Sequence, residues 1–219
     1  MTSPIVRKTA ALVVSTAFAF GLGGCGILIQ CAPPPTSEGG FCAPGQPACD
    51  EGSPDPMPDT RQDGAVDITQ FAPGQIPTRV VLSVPNEGRL HVAPDITPTY
   101  QFNPPASGPH VDASAPTGVY CEPLSPRHWV HSLEHGYIVV LYDPAHRLPL
   151  GDVLAPLLWL APPSRQFGNV KLVIAPYAGL PHPVCAVAWN RQLYLDCADY
   201  ARLLLFYVTY IDLGPEQEA

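Results

Sequence analysis

Hydrophobic positions follow three patterns along the chain. Thr9–Leu22 is apolar and carries no charge. The stretch after it has almost no periodic hydrophobicity. The remainder alternates short apolar runs with turn signals. Within that remainder, Tyr137–Tyr142 (YIVVLY) is a continuous β-branched and aromatic run closed by Asp143-Pro144, the pattern of a buried central strand. Val170–Ile174 and Val184–Trp189 read the same way, and Gln192–Leu195 closes a hairpin through Asn190-Arg191. Arg79–Val84 and Arg89–Val92 are shorter strand-like runs around the turn signal Asn86-Glu87-Gly88. Two stretches are helical in pattern. Val153–Leu160 follows Asp152, a capping residue, with Pro156 acting against it. In Ala198–Leu213, residues Tyr200, Leu203, Leu204, Tyr207 and Ile211 make one apolar stripe, with Asp196 to cap it and Gly214-Pro215 to stop it. Strands and helices mix without regular alternation. The pattern predicts an α+β domain over residues 78–219, with a small mixed or antiparallel sheet and about two helices.

The apolar stretch Thr9–Leu22 is too short to span a bilayer and follows the basic pair Arg7-Lys8, so residues 1–25 read as an export signal. It ends in Leu22-Gly23-Gly24-Cys25, which resembles the bacterial lipobox, where a lipidated cysteine becomes the new N-terminus. The expected location is the cell envelope, outside the cytoplasm and anchored by lipid alone. Gly26 follows the cysteine, where an aspartate would resemble an inner-membrane retention signal. In a Gram-negative host this favours the outer membrane.

Residues 26–77 hold ten prolines, seven glycines and seven acids against one base. Such a segment buries too little apolar surface to offset chain entropy and reads as a disordered, proline-rich tether. Removal of the signal leaves 9 basic against 19 acidic residues, a net charge of −10. That balance excludes a nucleic-acid partner, which needs a basic face. Export implies an oxidising compartment, so Cys31, Cys42, Cys49, Cys121, Cys185 and Cys197 are disulfide candidates. Their connectivity is open, with Cys185–Cys197 across the hairpin as the favoured pair.

Two segments carry candidate chemistry. In Asn103-Pro104-Pro105-Ala106-Ser107-Gly108-Pro109-His110, prolines and a glycine brace the chain just before His110. A plain surface turn would look the same. His131-Ser132-Leu133-Glu134-His135-Gly136 matches the H-x-x-E-H pattern. On a helix, His131 and His135 share a face and can reach one metal ion. In a strand they would stand about 13 Å apart. Gly136 and the β-rich run after it allow a single helical turn here. Buried, hydrogen-bonded histidines are the plain alternative. His182, between two prolines, is a lesser ligand candidate, and His91, His128 and His146 have no supporting context. Ser107 and Ser132 lack the surroundings of a nucleophile. Trp129, Tyr137 and Trp189 read as core or pocket-wall aromatics.

Together, "NPPASGPH" and "VHSLEHGYIVVLYDP", with "VIAPY" and "VAW" downstream, resemble domain-of-unknown-function family 3105. These are secreted or membrane-anchored bacterial domains, often behind a proline-rich tether. The usual threonine of the first motif is Ala106 here. The resemblance implies no activity, but it implies that His110, His131, Glu134 and His135 share one site. Three imidazoles suit Zn²⁺ or Cu²⁺. The leading expectation is a domain that binds one such ion through His110, His131 and His135. Glu134 would orient a ligand or hold a metal-bound water. The competing readings are a metal-dependent hydrolase with Glu134 as catalytic general base, and a non-enzymatic envelope or surface interaction module with structural histidines.

Overall fold

The computed structural model describes residues 64–72, 74–145 and 154–216. Residues 1–25, read above as an export signal, and Cys31, Cys42, Cys49, Met57 and His146 lie outside them. One mixed sheet of seven strands organises the domain. Its strands are β1 (Val66–Asp67), β2 (Val81–Ser83), β3 (Gly118–Val119), β4 (Ile138–Tyr142), β5 (Leu172–Pro176), β6 (Val184–Ala188) and β7 (Arg191–Leu195), in the spatial order β1-β2-β7-β6-β4-β5-β3. Among the described residues three α-helices accompany it: α1 (Pro126–Glu134), α2 (Leu157–Leu160) and α3 (Tyr200–Tyr210). The class is α+β. Among the described residues no helix is long and apolar enough to cross a membrane.

The strands form where continuous apolar runs predict them. β4 is central, pairing antiparallel with β6 and parallel with β5, and all five of its residues are buried. β6 and β7 form the hairpin, turning at Asn190 with φ +59°. Period-two alternation then sorts side chains between two apolar layers. Ile138, Val140, Ile174 and Ala186 face α2 and α3, through Leu157, Leu203, Phe206 and Tyr207. Val139, Leu141, Val173 and Val187 face α1, through Trp129, Val130 and Leu133.

Four local expectations give way. Arg89–Val92 makes no hairpin with β2; only an isolated parallel bridge joins His91 to His110. The helix at the H-x-x-E-H motif runs nine residues rather than one turn, because Pro126 occupies its first position, where a missing N–H costs nothing. α3 starts at Tyr200, capped by Asp199, whose carboxylate accepts from Arg202 N at 3.0 Å. Asp196 instead engages Thr78 and His182. The Cys185–Cys197 bridge does not form, and Cys185 is a free, buried thiol. Cys185 pairs with Tyr194 and shares its layer with Trp129, whereas Leu195, the end of β7 nearest Cys197, faces the opposite layer. The sheet also begins before residue 78, since β1, in the segment read as tether, pairs parallel with β2.

Past α3 the chain turns back across the end of α1 as a strap. Asp212 N donates to Gly136 O, and Glu216 N donates to Glu134 O, both at 3.0 Å. The contact is close enough to exclude side chains. A Cβ on Gly214 would lie 2.1 Å from Glu134 O, and one on Gly136 would lie 2.6 Å from Asp212 Cα. Buried Lys171 secures the strap, its Nζ lying 3.0 Å from both His135 O and Asp212 Oδ1.

Gly136 and Gly168 separate conformation from collision. Both take positive φ, +78° and +76°, but nothing lies within 4 Å of a Cβ on Gly168. Gly168→Ala should cost the backbone term alone, about 1–2 kcal/mol. Gly136→Ala adds the clash with the strap and should cost at least about 3 kcal/mol. Urea unfolding of both variants checks this; equal losses would mean the strap does not clamp the helix.

Candidate metal centre

α1 presents two faces. Trp129, Val130 and Leu133 enter the apolar layer, while His131 and Glu134, at i and i+3, share the other side. The face is buttoned to the 92–115 loop: Arg127 Nη1 donates to Pro94 O at 2.7 Å, and Val111 N donates to Arg127 O at 3.2 Å. Ser132 Oγ donates to Ala115 O and accepts from Ala115 N, both at 2.9 Å. Ser132 is thereby fixed as a structural hydroxyl.

The proline-glycine motif is as rigid as its composition suggests. Pro104 to Gly108 are buried. Gln192 Nε2 donates to Pro104 O at 2.6 Å, Asn190 N to Ala106 O at 2.9 Å, Glu87 N to Ser107 Oγ at 2.9 Å, and Gly108 N to Gly88 O at 2.8 Å. Gly108 has φ +122°, and a Cβ there would meet the Tyr100 ring at 3.0 Å. These bonds deliver His110, itself fully buried, against the polar face of α1. The backbone bridge brings His91 alongside: His110 N donates to Leu90 O at 3.0 Å and Val92 N donates to His110 O at 2.8 Å.

His91, His110, His131 and Glu134 each offer a ligand atom, all within 4.8 Å of one another. The ring centroids of His91, His110 and His131 are 4.6–5.1 Å apart. Glu134 Oε2 lies 2.8 Å from His110 Nε2 and 3.3 Å from His91 Nε2. The 2.8 Å contact is off the line a ring N–H would need, so His110 Nε2 has no hydrogen-bond partner; nor do His131 Nδ1 and Glu134 Oε1. Buried polar atoms without partners are rare in a well-packed interior. Here they fall on residues of one donor group, the arrangement expected of donors that share a ligand. The outer partners fit the same use. His110 Nδ1 lies 2.9 Å from Gly108 O and His91 Nδ1 lies 2.7 Å from Asp112 Oδ1. Each carbonyl or carboxylate can accept an Nδ1–H, the tautomer that would turn the Nε2 lone pair toward an ion. Burial pushes the His131 imidazole below its ordinary pKa, reinforced by His135, His110 and His91, and so favours the neutral form a metal requires.

Of the residues singled out in the sequence, His110, His131 and Glu134 come together. His135 stands beside this group. Its Nε2 is 2.7 Å from His131 Nε2, a hydrogen-bond length, whereas two nitrogens on one tetrahedral ion sit roughly 3.3 Å apart. His135 belongs instead to a second donor group with Glu134 and Glu216. His182 lies elsewhere, held by Asp196 and by Ile76 O, and His128 Nδ1 binds Ala113 O. His91 is the residue the sequence does not offer. No motif surrounds it, and the only local signal is the strand-like Arg89–Val92 run, whose bridge carries it to His110.

No curated protein and no solved structure matches the chain. The family described as "Protein of unknown function (DUF3105)" matches residues 91–219, from His91 through α1, the sheet core and the strap. The chain belongs to this family.

Proposed function

We propose that this protein is a lipid-anchored, extracytoplasmic domain that binds a transition-metal ion, Zn²⁺ or Cu²⁺. His91, His110 and His131 supply imidazoles and Glu134 supplies a carboxylate. The supporting observation is the fully buried Glu134 carboxylate facing imidazoles from three chain segments, with partnerless ring nitrogens on His110 and His131. A carboxylate buried this way needs a positive counterpart, and three nitrogens with one oxygen suit a borderline ion. His91, 43% exposed at its side chain, leaves a way in from solvent. Storage, delivery or sensing of the ion is the role that fits a tethered envelope domain. Disulfides among the remaining cysteines belong to the same picture of an oxidising compartment.

Metal-dependent hydrolysis with Glu134 as general base is the second reading. The grouping of Glu134 with His91, His110 and His131 favours ligation, because an oxygen committed to the ion cannot also take a proton from water. The convergence of histidines also favours either reading over a purely structural role.

Two experiments bear on this. Elemental analysis and chelator competition on the detergent-solubilised full chain should find tightly held zinc or copper. His110→Ala and His131→Ala should each weaken it at least about tenfold. Negligible metal in the unaltered chain, or unchanged affinity in both variants, would remove the metal reading. Separately, labelled palmitate should be incorporated by the intact chain in a bacterial host and lost in Cys25→Ser, with the protein moving to the soluble fraction. Membrane retention without label would remove the lipid anchor.

A further inference from the structure

The second donor group, Glu134, His135 and Glu216, is not used by the site proposed above, and it shares one residue with it. Its three ligand atoms lie within 4.8 Å of one another. Glu134 is therefore a member of both groups, with its side chain 1% exposed. Oε2 faces His91 and His110, while the buried Oε1 has no hydrogen-bond partner. His135 contributes a second buried atom without a partner, Nδ1. Its Nε2 is occupied by His131, so Nδ1 is the nitrogen left for a ligand.

Glu216 is placed there deliberately by the fold. The strap returns across α1 with Glu216 N donating to Glu134 O at 3.0 Å, and Gly214 permits an approach that no side chain would allow. Arg89 Nη1 holds Glu216 Oε1 at 3.2 Å. Arg89 lies two residues before His91, so the same segment that supplies a donor to the first group positions a donor of the second.

We propose that this second group holds a second divalent transition-metal ion, and that the Glu134 carboxylate bridges the two. This rests on the first-site reading and extends it. A carboxylate bridge uses one oxygen for each ion and sets them roughly 3.5–4 Å apart, a separation typical of two-metal sites. The first ion takes three imidazoles and one Glu134 oxygen. The second takes His135, Glu216 and the other Glu134 oxygen, and solvent completes its coordination because His135 and Glu216 are only partly buried. A second cation also supplies charge opposite two carboxylates that the fold crowds together.

Copper titration of the full chain, read by elemental analysis and by the electron paramagnetic resonance signal of Cu²⁺, tests this. The expected result is about two copper ions per chain with a spin-coupled signal, as a carboxylate bridge requires. Glu216→Gln and His135→Ala should each bind about one, with a simple uncoupled signal. Glu216→Gln keeps the shape of a partly exposed residue and serves if His135→Ala misfolds. One copper in the unaltered chain, unaffected by either change, overturns the second ion and leaves the first site standing. Two ions with uncoupled signals, or two that survive both substitutions, place the second ion elsewhere and also overturn it. No bound copper, with no zinc in its place, overturns both sites.

Discussion

The Glu134 carboxylate sets the terms for everything around it. It is fully buried, it closes α1, and it therefore sits at the negative end of that helix, where an anion is least welcome. Leaving such a charge without compensation in a low-dielectric interior costs several kcal/mol. The chain can protonate the carboxyl itself, protonate the surrounding imidazoles, or gather them around a cation. His131 argues against the second, since burial and three neighbouring imidazoles hold it toward the neutral form. Neutral imidazoles cannot balance an anion by themselves, but they can bring a metal ion that does.

Rigidity around that carboxylate follows from the same requirement. The proline-glycine loop is bonded through Pro104 O, Ala106 O, Gly108 N and Pro109 O to β7, to the turn before it, to Gly88 and to Tyr100, so His110 arrives with little freedom left. From the other side, the strap and the Lys171–Asp212 pair close over the end of α1. Donors held this way would lose little entropy on binding an ion, which is what a site on packed elements achieves and a site on free loops does not.

How much of this was legible depends on how far each feature is determined locally. β4, β5 and β6 were legible because a strand buried on both faces needs an unbroken apolar run, and β7 because the Asn190-Arg191 turn folds it back on β6. α3 was legible through its stripe, though its cap moved to Asp199 because that carboxylate, not that of Asp196, lies three residues before Arg202 N. The convergence of His110 with His131 was anticipated from two motifs. His91 was not, since its place comes from backbone pairing between residues nineteen positions apart, and such pairing leaves no mark on side-chain pattern. Glu216 was invisible for a related reason. It reaches the site only because Gly214 lets two backbones touch, and a glycine near a proline reads simply as the end of a helix.

His135 shows where spacing alone misleads. On an ideal helix, residues i and i+4 are nearly superposed, so the motif points two imidazoles at one ion. Here the helix ends between them. Glu134 is its last residue, and His135 has left helical geometry at φ −83°, ψ 13°. Gly136 then turns the chain into β4, and Lys171 takes up the His135 carbonyl. The break leaves the second imidazole against His131 and within reach of Glu216 on the strap. The resulting order is asymmetric: His131 and Glu134 face the His91–His110 bridge, and His135 faces Glu216. One short motif thus serves two neighbouring groups of donors, and the helix terminus, rather than the spacing, decides which residue serves which.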